Sequence, residues 1–140
     1  TADEAVTLLN SKSGLLGVSG ISSDCRDVLT ASDEGNKRAG LAIDILIHYI
    51  KKIIGSYIAE MNGVDALVFT AGIGENDGVI RDLICKDMSY LGIEIDNDIN
   101  LNLERGTQAD STKAGAKVRT LVIPTDEEYM IALDTFNLVK

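Results

Sequence analysis

The stretch L-V-F-T-A-G-I-G-E-N, residues 67–76, constrains this chain more than any other. Leu67, Val68 and Phe69 form a continuous apolar run, which reads as a strand buried on both faces of a sheet, because a half-exposed strand alternates. Thr70 ends that strand. Gly72 and Gly74 follow, and glycine lets a backbone take positive φ or lie against a ligand with no Cβ between them. From Val79 the apolar positions Val79, Ile80, Leu83, Ile84 and Met88 recur at helical spacing. A glycine turn therefore joins a strand to a helix. Such a turn is either a tight structural connection or a place for a nucleotide, and the glycines alone favour neither. The dinucleotide fingerprint is not met, since Asp77 occupies its third glycine position, and the pair Lys12-Ser13 lacks the glycines of a P-loop.

The remaining elements follow from periodicity and punctuation. Residues 2–10 read as a short helix ending at Ser11-Lys12-Ser13-Gly14. Residues 15–21, L-L-G-V-S-G-I, read as an irregular strand or a closely packed loop. Ser22-Ser23-Asp24 offers N-cap chemistry for a helix that stops at Gly35. Asn36 then caps the longest element, a helix to about Met61 closed by Asn62-Gly63. Its inward face is Ala39, Ala42, Ile43, Leu46, Ile50, Ile53, Ile54, Tyr57, Ile58 and Met61. Leu41, Ile45 and Ile47 widen the apolar surface, which suggests burial on a second side against a partner domain or subunit. His48, the single histidine, reads as a packed or surface residue. Beyond the strand at Leu67 the pattern predicts a helix over 79–91 stopped by Gly92, a short edge strand at 93–95, a helical turn at 97–103 and an exposed loop over 104–117. A second strand at 118–123 leads through Pro124-Thr125-Asp126-Glu127-Glu128 into a final helix.

Composition narrows the function. A chain of 140 residues is one domain's worth, so 1–140 is read as a single domain able to bury roughly two thirds of its unfolded surface. No apolar run is long enough to cross a bilayer, and the start carries no basic-then-apolar signal segment, so a cytoplasmic location with no membrane partner is expected. Thr1 opens directly into helical sequence with no initiating Met, and a fragment of a longer protein is expected. The net charge of -9 argues against nucleic acid, whose phosphates are held by clustered Lys and Arg. Cys25 and Cys85 lie far apart with no C-x-x-C, which supports neither a disulfide scaffold nor a zinc site.

From residue 67 onward the order strand, helix, strand, helix predicts parallel strands flanked by helices. The C-terminal ends of the two strands then share one edge. That places the glycine turn and Asp126-Glu127-Glu128 at one crevice, where open α/β sheets bind ligands. Carboxylates beside a phosphate need a cation between them, and Mg²⁺ takes one or two carboxylates with phosphate oxygens and waters. The plain alternative is that Thr125 or Asp126 caps the last helix, with acidic residues favourable in its first turn. Joined to Gly72-Ile73-Gly74, the metal reading is the better of the two.

Four stretches together make the chain resemble the C-terminal part of the acetate kinase family: Ser11-Lys12-Ser13-Gly14-Leu15-Leu16-Gly17, Ser19-Gly20-Ile21-Ser22-Ser23-Asp24-Cys25-Arg26, Phe69-Thr70-Ala71-Gly72-Ile73-Gly74-Glu75-Asn76, and Val122-Ile123-Pro124-Thr125-Asp126-Glu127-Glu128. The resemblance implies an α/β fold of the ribonuclease-H-like, actin-like ATPase kind. It implies a parent that moves the γ-phosphoryl of ATP reversibly to acetate, giving acetyl phosphate, with Mg²⁺, as a homodimer. It carries adenosine contacts to Gly72, Ile73, Gly74, Glu75 and Asn76, and the lining of the nucleotide pocket to Asp24 and Arg26. For Asp24 and Arg26 the residues by themselves favour an N-cap and a surface charge. The magnesium-associated carboxylate falls on Glu127, next to Asp126 where the family usually has Asn. No catalytic residue is expected here, because the family's catalytic Asp, His and Arg, its acyl pocket and its phosphate loop lie upstream, and the chain alone is expected to be inactive. A propionate or butyrate kinase, or a non-catalytic nucleotide-binding module on the same core, are the alternatives.

Overall fold

The computed structural model describes residues 1–140, which divide into two compact units, Thr1–Gly63 and Val64–Lys140. The first unit is helical. α1 (Ala2–Ser11) begins where the Thr1 hydroxyl accepts the Glu4 amide at 3.3 Å. α2 (Gly14–Ser19) occupies the segment expected to be an irregular strand or loop. Its glycines oppose a helix by about 1 kcal/mol each relative to Ala, so tertiary contact decides. Leu15, Leu16 and Val18 are half-buried, and Arg38 donates to the carbonyls of Val18 (2.9 Å) and Gly17 (3.4 Å) at the open end of the helix.

α3 (Cys25–Asp33) starts at Asp24, the expected cap, and contributes buried Cys25 and Val28. Asn36 caps α4 (Lys37–Glu60), its side-chain oxygen accepting from the amides of Arg38 (3.0 Å) and Ala39 (3.1 Å). α4 packs against α2 and α3 along its N-terminal half, where Ala39, Ala42, Ile43 and Ile47 are buried. Ile47 thus belongs to the inward face rather than a second side. Leu46, Ile50, Ile54 and Ile58 are half-buried, whereas Ile53, Tyr57 and Met61, expected inside, are exposed along with Leu41 and Ile45. The helix ends as expected at Asn62 (φ 57) and Gly63 (φ 135).

The second unit is built on a three-stranded mixed sheet of order β1-β3-β2, with β1 at Ala66–Phe69, β2 at Ala109–Asp110 and β3 at Arg119–Val122. β1 and β3 are parallel, with Leu67 opposite Thr120 and Phe69 opposite Val122. Phe69, Thr120 and Val122 on that face are buried, while Val68 on the other is 45% exposed. The loop expected over 104–117 contains β2, which pairs antiparallel with β3. A two-residue strand carries no periodicity, so only its partner reveals it. The edge strand expected at 93–95 is reduced to single bridges, Ile93 to Val118 and Ile95 to Thr112.

Helices flank the sheet in sequence. α5 (Ala71–Asn76) follows β1, and α6 (Gly78–Cys85) follows α5, with Asp77 capping it through the Ile80 amide at 3.0 Å. The helix expected over 79–91 is therefore shorter. Asp87 turns the chain at φ 64, a 3-10 turn covers Ser89–Leu91, and Gly92 (φ 85) ends it. α7 (Asn97–Asn100) is the expected helical turn, and α8 (Glu127–Val139) closes the chain. Ile80, Ile84, Cys85, Met88, Ile93 and Val118 complete the interior of this unit. No helix is long and apolar enough to cross a membrane.

Candidate nucleotide site

The parallel pairing of β1 and β3 brings the ends of both strands to one edge, as the alternation of strands and helices required. What joins them is a side chain. Glu75 on α5 accepts the Thr125 amide through one carboxylate oxygen (3.2 Å) and the Thr125 hydroxyl through the other (3.3 Å). This contact ties the segment after β1 to the segment after β3, 50 residues later. A cavity of about 490 Å³ opens beside it, lined by Glu75, Asn76, Gly106, Gln108, Pro124, Thr125 and Asp126. That volume lies within the ordinary range for small-molecule sites.

The glycine segment is a short helix rather than an open turn. The expected left-handed residue exists, but it is Ala71 (φ 58), while Gly72 and Gly74 keep negative φ. A Cβ on Gly74 would lie in contact with β1, 3.4 Å from the Phe69 carbonyl carbon, where α5 folds back on the strand. A Cβ on Gly72 would meet nothing within 4 Å. Gly72, Ile73 (44% exposed) and Asn76 present an open surface, with the Asn76 amide donating to the Gly72 carbonyl at 2.9 Å.

At the other strand end, Asp126 caps α8 through the Tyr129 amide at 3.1 Å, and Glu127 and Glu128 stand in the first turn. The capping alternative is therefore realised for Asp126. No group of three or more His, Cys, Asp or Glu side chains converges to hold a metal. A cage made by protein alone is not built, but Mg²⁺ bound mainly by phosphate oxygens and waters needs only one or two carboxylates. The exposed Glu127 carboxylate beside the cavity-lining Asp126 fits that lighter demand.

Asp24 and Arg26 belong to the first unit. Asp24 accepts the Arg26 amide (2.9 Å) as the cap of α3 and binds the same residue's guanidinium, Nε at 3.0 Å and Nη2 at 2.5 Å. The hydrogen bonds from the Arg26 side chain and amide hold the Asp24 carboxyl down at about 2. The N-cap expected from the residues is present, and the guanidinium turns back onto the cap.

Sequence reasoning missed Arg81 and Asn100. Arg81 lies 2% exposed on α6, and Asn100 is 1% exposed on α7. The Arg81 guanidinium donates to the carbonyls of Gly74 and Glu75, each at 3.0 Å, at the end of α5. Burial pushes its pKa down from the ordinary arginine value. The available signal was its place in a helical stripe with Ile84 and Cys85, three and four residues on, where a charge is out of pattern.

Comparison with known proteins extends the geometry. Acetate kinase from Treponema denticola is 54% identical over 140 residues, covering 100% of this chain and 35% of that protein. The crystal structure of acetate kinase from Porphyromonas gingivalis superposes with a TM-score of 0.88 at 47% identity, covering 100% of this chain and 35% of its own. A propionate kinase from Francisella tularensis gives a TM-score of 0.83 at 39% identity, over 94% and 33%. The chain thus spans about a third of the length of the relatives it matches, and shares the α/β fold expected of an actin-like ATPase portion. The family model described as the acetokinase family matches residues 1–133, and the chain belongs to that family.

Proposed function

We propose that this chain is the C-terminal portion of an acetate kinase that transfers the ATP γ-phosphoryl group reversibly to acetate, giving acetyl phosphate. The chain contributes to nucleotide binding, and the groups that handle the γ-phosphoryl and the acyl group lie elsewhere in the parent protein. The observation that carries this reading is the Glu75 to Thr125 junction, which sets the end of the glycine segment, Glu75 and Asn76, and the α8 cap Asp126 around one cavity.

Gly72, Ile73, Gly74 and Asn76 receive the adenosine, with the Ile73 side chain offering an apolar contact and Gly72 a bare backbone. Glu75 holds the cavity wall through Thr125. The family resemblance gives Asp24 and Arg26 a nucleotide-binding role. Glu127 is the carboxylate that would hold Mg²⁺, which when bound neutralises phosphate charge. The chain by itself is inactive in phosphoryl transfer. The exposed apolar residues of α4, Leu41, Ile45, Ile53 and Tyr57, support a homodimer. Cytoplasmic ATP or ADP and acetate are the partners, and the net charge of -9 disfavours nucleic acid.

The Francisella neighbour favours one second reading, a propionate kinase on the same scaffold. Calorimetric titration of ADP with Mg²⁺ into the 140-residue chain tests the site assignment. Saturable binding weakened by Glu127→Gln is expected. A folded chain that takes up no ADP would overturn it.

A further inference from the structure

Arg81 is a buried cation that forms no ion pair. The Asp77 carboxylate stands close enough to favour its charge but makes no ion pair with it, so a guanidinium this far out of water is retained only where dipoles converge on it. Here they do. Nη1 donates to Gly74 O and Glu75 O at 3.0 Å each, Nη2 to Asn100 O at 2.9 Å and Nε to the Asn100 side-chain oxygen at 2.7 Å. Asn100 is held in turn, its amide donating to Gly78 O (2.8 Å) and to the Asn97 side-chain oxygen (3.1 Å). Gly78 is part of the same construction, since a Cβ there would lie 2.8 Å from Asn100 O.

The element at the end of this network cannot stand alone. α5 has six residues, two of them glycine, and its second residue follows a left-handed Ala71. Helices this short are unstable without outside contacts, and glycine weakens them further. The carbonyls that Arg81 takes up are among the last of α5, the ones no amide within the helix can satisfy and the negative end of its dipole. The Glu75 side chain is pinned by Thr125. Between these two anchors, Gly72, Ile73 and Asn76 stay exposed.

We propose that Arg81, locked by Asn100, is the positioning residue that holds α5 in its nucleotide-receiving form, acting through the Gly74 and Glu75 carbonyls without touching the nucleotide. This rests on the reading of Gly72, Ile73, Gly74 and Asn76 as adenosine contacts.

The test compares the full chain with Arg81→Lys and Asn100→Ala, reading thermal midpoint, hydrogen exchange over 73–77 and calorimetric affinity for ADP with Mg²⁺. Lysine keeps the charge and loses the fork that spans both carbonyls and Asn100. The expected result is at least tenfold faster exchange in 73–77 and at least tenfold weaker ADP binding, under conditions where the variants remain folded. Unchanged exchange overturns the proposal. So does faster exchange with unchanged ADP affinity, or a lowered midpoint with normal affinity of the folded fraction, each of which leaves Arg81 a structural residue only. If the parent chain binds no ADP, the adenosine reading fails and the nucleotide role of Arg81 fails with it, while the exchange data still report whether Arg81 holds α5.

Discussion

Gly72→Ala separates a residue kept for folding from one kept for a ligand. Nothing in the protein requires glycine at this position: φ is not positive, and an added Cβ would meet no atom within 4 Å. Alanine favours helix over glycine by up to about 1 kcal/mol, less in a helix of six residues. In a domain of 60–100 residues each kcal/mol moves Tm by roughly 4–8 °C. The variant is therefore expected to melt at the parent temperature or a few degrees above it. Binding moves the other way. If adenosine lies against the Gly72 backbone, a methyl group intrudes on a packed contact at a cost of about 1–3 kcal/mol. At 1.4 kcal/mol per decade, ADP binds roughly five- to more than a hundredfold more weakly. The chain has no Trp, so circular dichroism at 222 nm follows unfolding, and calorimetry follows binding. A stable Gly72→Ala chain that binds Mg-ADP like the parent would refute the ligand argument for this glycine.

Gly78→Ala is expected to behave in the opposite way, losing about 1–3 kcal/mol in urea unfolding despite better helix propensity, because its Cβ would lie 2.8 Å from Asn100 O; stability equal to the parent would show that α7 yields. Asn36→Ala leaves the amides of Arg38 and Ala39 without their cap, and about 1 kcal/mol of stability should be lost in the same assay. The Asp24 carboxyl, depressed to about 2 by Arg26, contributes stability that is complete above its unfolded value near 4 and is lost as pH falls from there through about 2. A carboxyl NMR titration should place its midpoint near 2, moving up toward the ordinary aspartate range in Arg26→Ala; an unmoved midpoint would refute the pairing.

Local chemistry was legible wherever a residue acts on its chain neighbours. Asp24, Asn36 and Asp126 each cap a helix by reaching amides two or three residues on, and Asn62-Gly63 stops α4 by its own backbone preference. The two main strands were readable in place, and their parallel pairing from the helices between them, but the apolar run of β1 is not buried on both faces, since Val68 is exposed. β2 was not, because two residues pair only through β3. α2 was not, because glycine propensity pointed one way and packing on α4 the other.

The candidate site divides along the same line. The sequence by itself determined which residue types stand at the two strand ends and that a parallel sheet brings those ends to one edge, since strand direction and βα order follow from local pattern. Only the tertiary structure decided that Glu75 closes onto Thr125, that Ala71 rather than a glycine takes the left-handed turn, and that Arg81 and Asn100 lock α5 from beneath. Those contacts join residues up to 50 positions apart, and their worth comes from burial and geometry that no local spacing encodes.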